Sequence, residues 1–260
     1  MAELRVTLVQ QPLAWQDAGA NRERLAALLA PAAGGTDLVV LPETFTTGFS
    51  MEVETLAEPA GGPTAAWLAA LAGSLDAAIT GSVITVEAGR YYNRLLWAEP
   101  RAALRHYDKR HLFRLGDEHR HFTPGGAAWS VPWRGFAVCP LVCYDLRFPV
   151  FSRRRAALDY ELLVYVANWP AARAYAWRQL LRARAIENQA YVVGVNRVGP
   201  DGLGVAHAGD SAAIDYLGQP LLEAGADPAL LTVTLDGAKL RAFRDRFPAH
   251  LDADRFTLEL

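Results

Sequence analysis

Three short apolar runs constrain this chain more than any other feature. They are DLVVL (37–41), FAVCPLV (136–142) and ELLVYVA (161–167). Each is about one strand long, nearly continuous in hydrophobicity, and followed at once by a turn. A strand that reads this way is buried on both faces, as in sheets whose crossovers are helices. Helical stretches belong beside such runs: Pro63–Leu75 with Pro at its start, a helix near 149–158, and a long one over 172–189. The alternation predicts an α/β fold with its chemistry just beyond the carboxyl ends of the strands.

The rest of the pattern mixes crossovers with hairpins. Residues 4–10 read as a first strand and 21–30 as a helix with Asn21 as its cap. Strands over 78–86 and 91–99 flank Glu87-Ala88-Gly89-Arg90, a hairpin signal, and 102–107 extends them into a meander. Residues 191–196 form another strand, followed by a Gly-rich loop (199–204) and a hairpin through Tyr216-Leu217-Gly218-Gln219. A last strand (230–235), a last helix (236–246) and an extended segment (247–260) close the chain. No repeat or linker divides it, so one domain over 1–260 is expected, with two sheets, each covered by helices on one side.

Composition narrows the class. The 260 residues are 52% hydrophobic, and the net charge of −2 argues against a dedicated nucleic-acid binder. Cys139 and Cys143 are the two cysteines; four apart on one strand, they stand about 13 Å from each other, too far to bridge. Met1-Ala2-Glu3-Leu4-Arg5 opens directly toward a strand without a signal-peptide layout, and no apolar stretch reaches membrane-spanning length. These features predict a soluble, cytoplasmic protein. Of 26 basic residues only Lys109 and Lys239 are lysine. A lysine kept among so many arginines suits a position that needs a compact ammonium.

Four chemistry-bearing residues fall at strand ends. Glu43 follows DLVVLP, Cys143 follows FAVCPLV, Asn168 follows ELLVYVA, and Lys109 follows the meander's third strand. A thiol, a carboxylate and an ammonium suit acyl transfer. The carboxylate serves as base, and the ammonium with a backbone N–H at the strand–turn corner holds the developing oxyanion. Each residue also has a plainer reading: a buried structural cysteine, a solvated carboxylate, a member of a charged surface. Arg153-Arg154-Arg155 reads as a solvated helix face. His111, His119 and His121 match no metal-ligand spacing.

Taken together, LPETFTTGF, YDKRHLF and LVCYDLRFP resemble the motifs of the nitrilase superfamily of carbon–nitrogen hydrolases. The likeness runs nearly the full length, and the ω-amidase-like branch is the most similar through YDKRHLFRLGDEHRHFTPG, LVCYDLRFPVFSRR and YVANWP. The resemblance implies a four-layer αββα sandwich and a homodimer, with no metal or organic cofactor. It makes Cys143 the nucleophile, Glu43 the general base and Lys109 the oxyanion cation. The backbone N–H of Tyr144 becomes the second donor, and Glu118 a second glutamate that orients the site.

For specificity it implies that Arg147 and Asn168 hold a substrate carboxylate. Arg147 could equally pair with Asp145 or Glu43, and Asn168 could cap the turn before Pro170. Phe49, Phe113 and Trp169 are candidate pocket walls that could instead be core. The expected activity is hydrolysis of the terminal amide of a small carboxylate-bearing molecule such as 2-oxoglutaramate. Nitriles, N-carbamoyl amino acids and aliphatic amides are alternatives within the superfamily. Outside it stands a metal-dependent phosphodiesterase using Glu43, Asn168 and His207-x-x-Asp210, and a third reading is a non-catalytic scaffold that retains the fold.

Overall fold

The computed structural model describes residues 3–260; Met1 and Ala2, part of the N-terminal reading, lie outside the described residues. The strands run β1 (Glu3–Gln10), β2 (Leu38–Val40), β3 (Glu58–Pro59), β4 (Ala78–Glu87), β5 (Arg90–Ala98), β6 (Arg105–Asp108), β7 (Val131–Trp133) and β8 (Phe136–Val142). They continue with β9 (Leu162–Ala167), β10 (Tyr191–Asn196), β11 (Val198–Pro200), β12 (Ala206–Ala208), β13 (Ala212–Ile214), β14 (Pro220–Glu223) and β15 (Ala229–Asp236). The helices are α1 (Ala18–Leu29), α2 (Val53–Leu56), α3 (Pro63–Leu75), α4 (Glu118–His121), α5 (Pro149–Ser152), α6 (Ala174–Asn188) and α7 (Gly237–Arg246).

One large sheet has the order β15-β1-β2-β4-β5-β6, with β3 also on β4, and the other β14-β13-β10-β9-β8-β7; β11 and β12 form a separate two-stranded ribbon. Each large sheet is built around a parallel trio, β1-β2-β4 and β8-β9-β10, with antiparallel strands outside it apart from the short β3, which runs parallel to β4. Side chains alternate across a strand. Leu38 and Val40 therefore meet the second sheet's Val138 and Val164 in one core, while Val39 and Leu41 face Leu25 and Leu29 of α1 and Leu68 and Ala72 of α3 in another. Trp177, Leu181 and Ala185 of α6 join the core of the second sheet. This is the two-sheet, helix-covered α/β arrangement that the apolar runs predict. No helix among the described residues is long and apolar enough to cross a membrane.

Several local readings change. Asp17, not Asn21, caps α1, accepting from the Ala20 N–H at 2.9 Å. Asn21 lies a turn inside, buried, and ties the Ala14 backbone and the Thr46 carbonyl together. The helix expected to reach residue 158 stops at Ser152, whose carbonyl accepts from the buried Tyr160 hydroxyl. Arg153, Arg154 and Arg155 therefore lie beyond the helix; Arg154 pairs with Asp159 at 2.6 Å. The meander's third strand starts only at Arg105. The C-terminal segment carries a 3₁₀ turn, Ala249–Leu251. The hairpin between β4 and β5 is as expected: Ala88 and Gly89 both have positive φ, the geometry of a tight two-residue turn.

Candidate active site

The carboxyl ends of β2, β8 and β9 open on one cavity of about 500 Å³, and Glu43, Lys109, Cys143 and Asn168 all line it. The chain reaches each position for an identifiable reason. After β2 the backbone turns back over β4, where the Phe45 N–H donates to the Ser82 carbonyl. Gly81 permits this crossing, since a Cβ there would stand 2.8 Å from both Leu41 and Phe45. The turn forces Thr44 to φ +39°, an outlier for a β-branched residue. Bonds on both sides hold it there: its N–H donates to Ser82 Oγ at 2.8 Å, and its hydroxyl accepts from Asn168 Nδ2 at 3.0 Å.

Lys109 follows β6. Its N–H donates to the Asn93 carbonyl and its carbonyl accepts from the Gly125 N–H, each at 2.9 Å. A Cβ on Gly125 would lie 1.8 Å from the Asp108 carbonyl oxygen, so only glycine lets these segments touch. Cys143 leaves β8 with φ +44° and begins a 3₁₀ turn, Cys143–Arg147. A non-glycine residue in that region costs on the order of 1–3 kcal/mol and is kept only where its surroundings over-determine it. The turn lifts the sulfur out of the plane of the sheet toward the cavity.

Three charged side chains meet there almost without water. Glu43 and Glu118 are 0% exposed and Lys109 1%. Lys109 Nζ donates to Glu43 Oε1 at 2.8 Å and to Glu118 at 2.9 and 3.0 Å. The other oxygen of Glu43 accepts from the Asn168 N–H at 2.8 Å, and Glu118 accepts from the Phe113 N–H at 2.6 Å. Burial alone would lower the Lys109 ammonium, but Glu118 and Glu43 outweigh it and raise it above its ordinary value. Burial drives the Glu118 carboxyl upward, with Lys109 opposing. Cys143 lines the same cavity as Glu43; burial, then the charge of Glu43, push its thiol well above the ordinary range, with Lys109 pulling the other way. The resting sulfur is therefore a thiol.

The remaining expected residues also gather here. Tyr144 and Arg147, from the turn after Cys143, line the cavity with Phe49, Phe113 and Trp169, so the aromatics are walls and not merely core. Arg147 pairs with neither Asp145 nor Glu43. Its guanidinium lies over the Trp169 ring at 4.9 Å, and Asp145 is taken by Tyr107 and His111. Asn168 does not cap the following turn. Its amide clasps the Glu43 carbonyl at 2.5 Å. Asp210 is bound by Arg178 at 2.8 Å, and His207 Nδ1 faces the Gly199 carbonyl.

Sequence reading missed Asn93. From the middle of β5 its amide donates to Glu43 Oε1 at 2.9 Å and to Glu118 Oε1 at 3.0 Å, joining the two carboxylates. Asn93 sits beside Arg94 in the polar first half of RYYNRLLWA, so nothing in the sequence singled it out. Trp15 and Arg173 also line the cavity unforeseen, and so does His207, which the sequence offered only to the phosphodiesterase reading.

Comparison with known proteins gives the family. The family model for carbon-nitrogen hydrolase matches residues 5–245. Omega-amidase YafV of Escherichia coli K12 is 48% identical over 99% of this chain and 100% of that protein. The 2-oxoglutaramate amidase of Bacillus subtilis 168 is 33% identical over 83% of this chain and 84% of its own length. Among solved structures, XC1258 of Xanthomonas campestris superposes with a TM-score of 0.97 at 52% identity, covering both chains completely. It is a CN-hydrolase superfamily protein that carries an arsenic adduct in its active site. The chain described here belongs to the carbon–nitrogen hydrolase family. That membership sets aside the phosphodiesterase reading.

Proposed function

We propose that this protein is an ω-amidase, hydrolysing the terminal amide of a small carboxylate-bearing molecule, with 2-oxoglutaramate as the representative substrate. The carrying observation is a buried carboxylate–ammonium–carboxylate cluster that shares one cavity with a cysteine at the end of a strand and with Arg147. Glu43 takes the Cys143 proton as sulfur bonds to the amide carbon. Lys109 and the Tyr144 N–H receive the oxyanion. Glu43 returns its proton to the amide nitrogen, the C–N bond breaks, ammonia leaves, and a thioester remains. Glu43 then deprotonates a water that attacks the thioester; the carboxylic acid departs and sulfur recovers the proton. Glu118, with Asn93, fixes the ammonium in place.

The raised thiol supports this order of events, because a sulfur that is not ionised at rest needs its base during attack and not before it. Arg147 and Asn168 belong to the substrate's far end, with Phe49, Phe113 and Trp169 as walls. The relatives act on ω-amides by name, and their likeness spans nearly the whole chain, which supports the substrate class. Residues 1–260 are read as one hydrolase domain, working in the cytoplasm as a homodimer and needing no cofactor. The test is ammonia release from 2-oxoglutaramate by the wild-type protein and by Cys143→Ala, beside a panel of nitriles, N-carbamoyl amino acids and aliphatic amides. Equal rates in the two proteins, or a higher kcat/KM for another class, would replace this reading.

A further inference from the structure

A second buried acid lies two residues beyond Cys143 and takes no part in the chemistry above. Asp145 is 0% exposed, yet its carboxylate accepts four hydrogen bonds. Oδ2 receives the Val142 N–H at 3.0 Å and the Tyr107 hydroxyl at 2.9 Å. Oδ1 receives the His111 N–H at 3.1 Å and faces His111 Nδ1 at 2.7 Å, so that ring nitrogen carries a hydrogen. The Tyr107 oxygen in turn accepts from the Arg110 N–H at 3.0 Å. The donors thus come from the residues immediately around Lys109, on one side, and from the last residue before Cys143, on the other.

We propose that Asp145, Tyr107 and His111 form a positioning clamp that sets the separation of the Lys109 ammonium from the Cys143 sulfur. The inference rests on the roles assigned to those two residues. Lys109 and Cys143 come from different sheets, so no shared ladder fixes their distance. Side-chain bonds across the gap have to do it, and a carboxylate with four donors is a stiff, direction-specific joint. A misplacement of about 1 Å in such a constellation can cost on the order of 100-fold in rate.

The same clamp reaches the pocket wall. The His111 ring stacks on Phe148 at 3.7 Å and 8°; Phe148 meets Tyr144 edge-on at 5.2 Å, and Tyr144 meets Phe113 at 5.1 Å. His111 therefore has two separable features: a donor to Asp145 and a flat surface for Phe148. His111→Phe keeps the surface and loses the donor. His111→Asn keeps a donor and loses the surface. Tyr107→Phe removes one bond at constant shape.

The experiment measures kcat and KM for 2-oxoglutaramate in these three variants and in Cys143→Ala, with rates normalised to the fraction folded by urea titration. His111→Phe and Tyr107→Phe are expected to lose tenfold or more in kcat, with KM within threefold. His111→Asn is expected to recover most of what His111→Phe loses. Folded His111→Phe and Tyr107→Phe with kcat within twofold of wild type, beside an inactive Cys143→Ala, would overturn the clamp alone. Full rate in His111→Phe with a poor His111→Asn would reduce His111 to wall packing and overturn it too. An active Cys143→Ala would overturn the nucleophile assignment, and the clamp with it.

Discussion

Strand β8 carries a cysteine in its middle and another just past its end, and the two have almost nothing in common but the element. Cys139 lies in the ladder opposite Leu163 of β9, is 0% exposed, and belongs wholly to the core of the second sheet, on the face opposite to that of Val138. Burial, with Asp145 nearby, raises its thiol. Cys143 stands one residue beyond the strand, 8% exposed, in a left-handed conformation, and lines the same cavity as Glu43. Its thiol is raised as well. Titration behaviour therefore does not separate the two. What separates them is a cavity shared with a carboxylate, Glu43, and it follows from where the strand stops.

The sharpest way to break this contrast is to remove each sulfur in turn. Cys143→Ala is expected to abolish measurable ammonia release, a loss of at least about 10⁴-fold on the scale of nucleophile deletions. Cys139→Ala should keep kcat within about twofold and cost roughly 1 kcal/mol of stability as a buried deletion, read from the urea midpoint. If Cys139→Ala were the dead variant, the contrast would be inverted.

Glu43→Gln comes next. Without the base the rate should fall on the order of 100- to 10,000-fold. The same change removes a charge that holds the Cys143 thiol up while leaving Lys109, which pulls it down, so iodoacetamide labelling of Cys143 at pH 7 should quicken. Faster labelling with slower turnover would locate the defect in proton transfer. Arg147→Met is a smaller perturbation: KM for 2-oxoglutaramate should rise about 10- to 100-fold, as for a lost charge-assisted bond, with kcat little changed. The smallest effect concerns pH in the wild-type protein. A raised thiol binds its proton more tightly, so the thiolate fraction grows as pH rises. Labelling of Cys143 should climb steadily from pH 7 to 9 with no plateau, and a plateau below pH 7 would contradict the raised thiol.

The same contrast explains what could be read from the chain alone. Glu43, Cys143 and Asn168 were legible because each ends an apolar run, and the carboxyl ends of such strands gather by topology. Lys109 stood out through the scarcity of lysine. Glu118 was one carboxylate among several in Asp117-Glu118-His119, and only likeness to a family selected it. Asn93 and Asp145 were not visible, because their meaning lies in partners 25 to 50 and 34 to 38 residues away. Such contacts depend on how the two sheets face, which periodicity does not encode. Helix limits failed for a similar reason. The turn after Ser152 is set by Tyr160 reaching back to its carbonyl, a tertiary bond that overrides local preference.

The cluster beneath the cysteine has one further consequence. Two carboxylates and one ammonium leave an excess of one negative charge at the floor when all are ionised, whereas Arg147 and Arg173 stand over the rings of Trp169 and Phe113 higher in the cavity. In that state the cavity is an electrical dipole. A molecule with an acid at one end and a neutral amide at the other is turned on entry, its anionic end repelled from the bottom and drawn to the sides, so the bond to be cut arrives first. A molecule with acids at both ends, such as the dicarboxylate left after hydrolysis, finds no favourable way to sit, and the field that orients the reactant helps to expel the product.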